Sequence, residues 1–140
     1  MIGAPPGQGA GGTAARDTSV LALTRALRRR GEPGQATTLL DATLTQPHLQ
    51  APATGSLSSE VAWLHLERAD LSQDSGDLAS ADHHGLRAVY HFQRAGDRGG
   101  QAAGALLLGD LAWQGGNPEA AAGWWTRCHA LADNVGNPML

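Results

Sequence analysis

The chain has 140 residues, with ten arginines, no lysine and thirteen acidic residues, for a formal net charge of −3. This balance offers no strongly basic field to nucleic acid or an anionic membrane, and the missing lysines remove Schiff-base chemistry and the phosphate-cradling lysine of a P-loop. The single cysteine, Cys128, excludes an intrachain disulfide and fits a reducing cytoplasm, while no apolar run approaches the roughly 20 residues that span a bilayer.

From the amino terminus onward, residues 1–17 are rich in glycine, proline and alanine, with neither the basic start nor the apolar centre of a secretory signal. They are expected to form a disordered tail. A first helix is predicted near 18–30, started by Asp17, Thr18 or Ser19, striped by Val20, Leu23 and Leu27, and stopped at Gly31. Its closing run Arg28-Arg29-Arg30 complements the helix dipole, a better fit to an acidic chain than a nucleic-acid patch. The second helix is expected near 34–46, followed by one long connection from Gln46 to Ser56.

Ser58 or Ser59 can cap a third helix over 58–74, and Asp77 a fourth over 77–95, where Leu78, Ala81, Ala88, Val89 and Phe92 share one face. Gly96 ends that helix, and a fifth follows near 99–115. Asn117-Pro118-Glu119 then combines a capping amide, a proline that needs no donor and an acid at the positive helix end. The sixth helix, near 117–134, carries Ala121, Trp124, Cys128 and Leu131 at a helical spacing that continues to Val135, with Gly136 as its stop. Strand signals are absent, so the fold class is all-α.

A shift of forty residues lays RADLSQDSGDLASA, Arg68 to Ala81, over LGDLAWQGGNPEAA, Leu108 to Ala121. Gly76 then meets Gly116, Ala69 meets Gly109, and Asp70 meets Asp110. Shifting by forty-five brings Gly31 and Ala36 into the same register. Small residues belong where two helix backbones cross closely, so Gly109 or Ala69 is expected as the notch of one helix and Ala121 or Ala81 as that of its partner. On Leu108, Gly109, Gly116-Asn117, Ala121, Trp125 and Cys128, the segment Gly99 to Gly136 resembles a tetratricopeptide repeat. The forty-residue spacing resembles the longer-helix form of bacterial signalling and regulatory proteins, with repeats near 18–46, 58–95 and 99–136 and a short tail over 137–140. In the middle repeat His65, Arg68 and Gly85 depart from the pattern, as do Thr24 and Thr43 in the first. The middle repeat is expected to be less tightly packed, or to turn His65 and Arg68 to a neighbour.

Candidate chemistry is sparse. His84 and His91 lie two helical turns apart with His83 beside them, and no cysteine or carboxylate is spaced to complete a metal tetrahedron, so these histidines are expected to face solvent. Cys128 has only His129 near it in sequence, on another side of the helix, and reads as a small buried residue. The carboxylates are scattered, and no phosphate loop, nucleophile elbow or zinc signature occurs. No catalytic residue, metal or cofactor is assigned. Trp124 and Trp125 cannot point the same way, and Trp125 is expected to fill its helical pair.

The resemblance implies a right-handed superhelix of three helical hairpins whose concave groove is lined by the first helix of each. By aligned position the groove residues are Arg25, Arg28 and Arg29, then Trp63, Leu66, Asp70 and Gln73, then Asp110, Trp113 and Gln114. Leu21, Asp74, Ala103 and Leu106 extend the same faces. The implied function is a non-catalytic protein-interaction module that holds a peptide or protein segment. Asp70 and Asp110 stand where carboxylate-clamping relatives carry asparagine, which argues against capture of a free C-terminus. Self-association through an uncapped last helix is the alternative, and an enzyme on a helical scaffold the weaker third.

Overall fold

The computed structural model describes residues 12–50 and 55–136, and its regular elements are all helical, with no strand among the described residues. In chain order they are α1 (Gly12–Arg29), α2 (Pro33–Leu44), the single turn α3 (Pro47–Gln50), α4 (Gly55–Asp74), α5 (Leu78–Ala95), α6 (Arg98–Gln114) and α7 (Pro118–Gly136). The six long helices are those expected. Three boundaries differ most: α1 begins at Gly12, upstream of the Asp17–Ser19 start, the connection after α2 contains α3, and α4 begins at Gly55, upstream of the Ser58 or Ser59 start. Residues 1–11 of the expected tail, 51–54 of that connection and the expected tail 137–140 lie outside the described residues.

The turns explain why the helices stop where they do. Gly31, Gly76, Gly96 and Gly116 have φ of 78°, 84°, 69° and 82°, the left-handed region that a side chain disfavours. At each, the glycine N–H and the next residue's N–H bond back to two carbonyls of the preceding helix. Around Gly76 these bonds are Gly76 to Gln73 at 3.0 Å and Asp77 to Ser72 at 2.9 Å. After the last three glycines comes a side chain that caps the next helix: Asp77 accepts from the Ser80 N–H, Asp97 from Gly100 and Asn117 from Ala120, at 3.1, 2.8 and 3.1 Å. A two-residue Gly-Asx unit therefore ends one helix and starts another, recurring twenty residues apart. Each such cap contributes about 1 kcal/mol.

Ser58 and Ser59, expected as caps, instead lie within α4 and tie it to α5 and to the turn after α5. The buried Ser58 hydroxyl donates to the His91 carbonyl at 3.0 Å, and Ser59 donates to Asp97 at 3.1 Å.

Helix α4 packs on α5, α1, α2 and α6, while α6 packs on α5 and α7. This central position accounts for α4 being apolar on two sides. Val61, Leu64 and Leu71 join Ala36, Leu40 and Leu49 in one buried cluster, while Ala62, Leu66 and Ala69 join Phe92, Val89, Leu107, Leu108 and Leu111 in another. The second cluster depends on small residues. A Cβ at Gly104 would lie 2.6 Å from Val89, one at Gly85 would lie 2.9 Å from Leu108, and one at Gly100 would overlap the Phe92 ring. The space opposite Gly85 is thus filled by Leu108 of α6, so the middle pair is not loosely packed there.

Ala69, Ala81 and Ala121 are fully buried, and Gly109 is buried beneath the Trp125 indole, as the notch expectation requires. Thr24 is fully buried and Thr43 nearly so, and each satisfies its own hydroxyl by donating to the carbonyl four residues earlier, Val20 and Leu39, both at 2.8 Å.

Candidate binding surface

Between α1 and α4 lies a cleft of about 690 Å³, lined by Arg25, Arg28 and Arg29 from one side and Glu67, Asp70 and Asp74 from the other. Glu67, Asp70 and Asp74 occupy successive turns of one face of α4. Glu67 is buried and receives Arg25 Nε at 3.3 Å and the Arg28 guanidinium, which also reaches Asp74 at 2.7 Å and Asp70 at 4.0 Å. Burial acts to lower the Arg28 pKa, but the bonds from Glu67 and Asp74 outweigh it and the pKa is raised. Burial raises the Asp70 pKa against the lowering effect of Arg28, with Glu67 and Asp74 adding to the rise. Arg29 is exposed and forms no ion pair among the described residues.

Arg28 thus serves a cross-helix ion cluster as well as its own helix end, and the carboxylates that look scattered in sequence are gathered by α4. Glu67 is the residue that sequence reasoning missed; its spacing to Asp70 and Asp74 was the available signal. Glu67→Ala removes the shared acceptor of two arginines that still reach water. It should lower the unfolding free energy by about 1–2 kcal/mol in urea melts followed by circular dichroism, with the helical signal of the folded state unchanged.

A second feature lies on α6 and α7. Trp113 is 61% exposed, and its ring centroid stands 6.0 Å from that of Trp125 with the planes tilted by 38°. Trp125 seats on Gly109, donates Nε1–H to Asp110 at 3.2 Å, and remains 36% exposed. Trp125 therefore covers the notch from the rim rather than filling the core. Trp124 is the indole that packs against the buried cluster, with Arg127 stacked over it at 5.6 Å.

Other expected groove residues divide. Leu66 is buried in the core, a correction to its groove assignment, because that side of α4 meets α5 and α6. Trp63 packs edge-on to Phe92 at 5.0 Å and is partly buried against the same cluster. Gln73 is half-buried and Gln114 exposed, and neither lines the α1–α4 cleft.

The histidines are the larger correction. His65 and His91 are buried and their rings stack at 5.7 Å, while His65 Nδ1 and the half-buried His84 Nδ1 approach to 3.0 Å, one donating and the other accepting. Of the three histidines expected to face solvent only His83 does so, while His65, a departure from the repeat pattern, turns to its neighbours as expected. Burial is the main cause that pushes His65 down to about 3 and His84 to about 4, with the neighbouring imidazoles and Arg68 and Arg87 adding to it. His91 is lowered as well, by burial and then by Arg87 and Arg94. Arg68, the other departure from the repeat, turns to α2 and grips Asp41 at 2.7 Å. Among the described residues no group of three or more histidines, cysteines and carboxylates is arranged to hold a metal ion. Cys128 is a free thiol, half-buried rather than buried. No helix is long and apolar enough to cross a membrane among the described residues.

Comparison with protein-family models and with curated proteins finds no match to this chain.

Proposed function

We propose that this chain is a non-catalytic interaction module that holds a peptide or protein segment along the face formed by α1, α4 and α6. The observation that carries the reading is the cleft between α1 and α4, where Arg25 and Arg29 face Asp70 and Asp74 across an open channel. Charges of both signs in an open channel set register and partner choice for an extended segment. The pairing of helices supports the tetratricopeptide-like arrangement: α1 with α2, α4 with α5 and α6 with α7, the first members also meeting one another. In such a stack the exposed Trp113 is an anchor at the far end of the same groove.

The alternative of end-to-end self-association finds less support. On α7, Ala122, Thr126, His129, Ala130 and Asp133 are exposed, and Trp125 is the one large exposed apolar side chain of that helix among the described residues.

Affinity capture from the native cell with mass spectrometry identifies the partner, and the variants then test the groove. Trp113→Ala and Arg29→Glu should each weaken binding on the order of tenfold or more while leaving helical content unchanged, as expected of an anchor and of a register charge. A captured partner whose affinity is indifferent to both would show that it binds elsewhere.

A further inference from the structure

The α6 face carries an arrangement that specifies the partner's chemistry. Asp110 and Trp113 lie one turn apart on α6, and Trp125 reaches over from α7 to donate its Nε1–H to one Asp110 oxygen. Asp110 takes part in no ion pair among the described residues. A half-buried carboxylate is thus left with acceptor capacity beside the exposed indole of Trp113. Leu106, one turn earlier on α6, is 49% exposed.

An aliphatic partner would cover the indoles but desolvate the Asp110 charge without pairing it. An ammonium can also sit over an indole face, but it meets the carboxylate as a compact, strongly hydrated point charge and brings no plane to stack. A guanidinium uses both, since its plane stacks on an indole while its edge donates to a carboxylate in a fixed fork. The chain's own Arg127 makes the stacking half of this contact with Trp124.

We propose that Asp110, Trp113 and Trp125 form a recognition spot for an arginine side chain of the segment held in the groove. The proposal rests on the groove reading above and gives its occupant a chemistry. Charge complementarity carries it: the spot is an unpaired carboxylate flanked by two indoles, at the end of the groove away from the arginines of α1.

The test uses the full chain and two capped amino acids that differ in charge, N-acetylarginine amide and N-acetylcitrulline amide, followed by the indole N–H resonances in NMR titrations. A single side chain should bind with a Kd on the order of tens of millimolar. The arginine amide should shift the Trp113 and Trp125 resonances saturably, leave Trp63 and Trp124 in place, and respond at least severalfold more strongly than the citrulline amide. Asp110→Asn keeps an oxygen for the Trp125 donor and removes only the charge, so it should abolish the difference between the two probes. Equal responses to both probes, no saturable shift, or an unchanged preference in Asp110→Asn would each overturn the proposal. None of those outcomes touches the groove reading, which stands or falls on the Trp113→Ala and Arg29→Glu binding measurements.

Discussion

Lowering the pH from about 7 to about 4.5 should remove on the order of 3–6 kcal/mol of stability, through His65 and His84. Both imidazoles are neutral in the fold, with pKa values pushed down to about 3 and about 4 from an ordinary 6.5. Their contribution is fully present above the unfolded-state value. As the pH falls below it, the unfolded chain takes up protons that the folded chain refuses, and stability declines until the folded groups titrate. Each such imidazole adds a slope of about 1.4 kcal/mol per pH unit. Set against a typical total of about 5–15 kcal/mol, a loss of that size removes a large part of the fold's stability.

The surroundings supply no rescue. α5 presents His83 and Arg87 to the pair, α4 contributes Arg68, and the nearby acid of α2, Asp41, is already held by Arg68. His91, stacked on His65 and ringed by Arg87 and Arg94, has a buried Nε2 without a hydrogen-bond partner among the described residues, so a third proton finds no acceptor there. Urea midpoints measured from about pH 7 to about pH 4.5 should fall steeply in the parent and more gently in a His65→Gln, His84→Gln variant, since an amide neither gains nor loses charge. Parallel pH dependences in the two proteins would assign the acid sensitivity to carboxylates instead.

The same histidines show where sequence reasoning stops. His65 and His84 sit on different helices, so their meeting depends on how α4 and α5 are rotated about their axes. A stripe of apolar residues sets that rotation well for α5, whose buried side is narrow. It sets it poorly for α4, which is apolar on two sides because it packs between α1–α3 and α5–α6. The misplacement of Leu66 and the oversight of Glu67 share this cause, since both lie on α4. By contrast the helix ends were legible, because Gly76-Asp77, Gly96-Asp97 and Gly116-Asn117 act through bonds to residues within a few positions of themselves. Ser58 and Ser59 misled because a serine at a plausible helix start serves equally well as a cross-helix donor. For the surface, Arg25, Arg28, Arg29 and Asp70 were legible by repeat alignment and do share one cleft. The Trp125 contact to Asp110 was not, since neighbouring tryptophans carry no signal of which one turns inward.

Glycine to alanine should have opposite signs at two helical positions of this chain. Gly123 lies inside α7 with nothing within 4 Å of an added Cβ, so Gly123→Ala should stabilise by about 0.5–1 kcal/mol through helix propensity alone. Gly100 lies in the first turn of α6, where the added methyl would overlap the ring of Phe92. Phe92 cannot yield easily: it is fully buried, packs edge-on against Trp63 at 5.0 Å, and belongs to the cluster shared by α4, α5 and α6. Overpacking of this kind costs about 1–3 kcal/mol, more than the propensity gain restores, so Gly100→Ala should destabilise.

Phe92→Ala removes the largest fully buried side chain and should cost about 3–5 kcal/mol by itself. Combining it with Gly100→Ala places a methyl in the vacated space, so the double variant should be more stable than additivity allows, by about 0.5–3 kcal/mol. Urea melts of the four proteins in the cycle measure that coupling directly. An additive double variant would mean that α5 and α6 stand further apart than the Phe92–Gly100 contact requires, and with it the α6 face that carries Asp110 and Trp113.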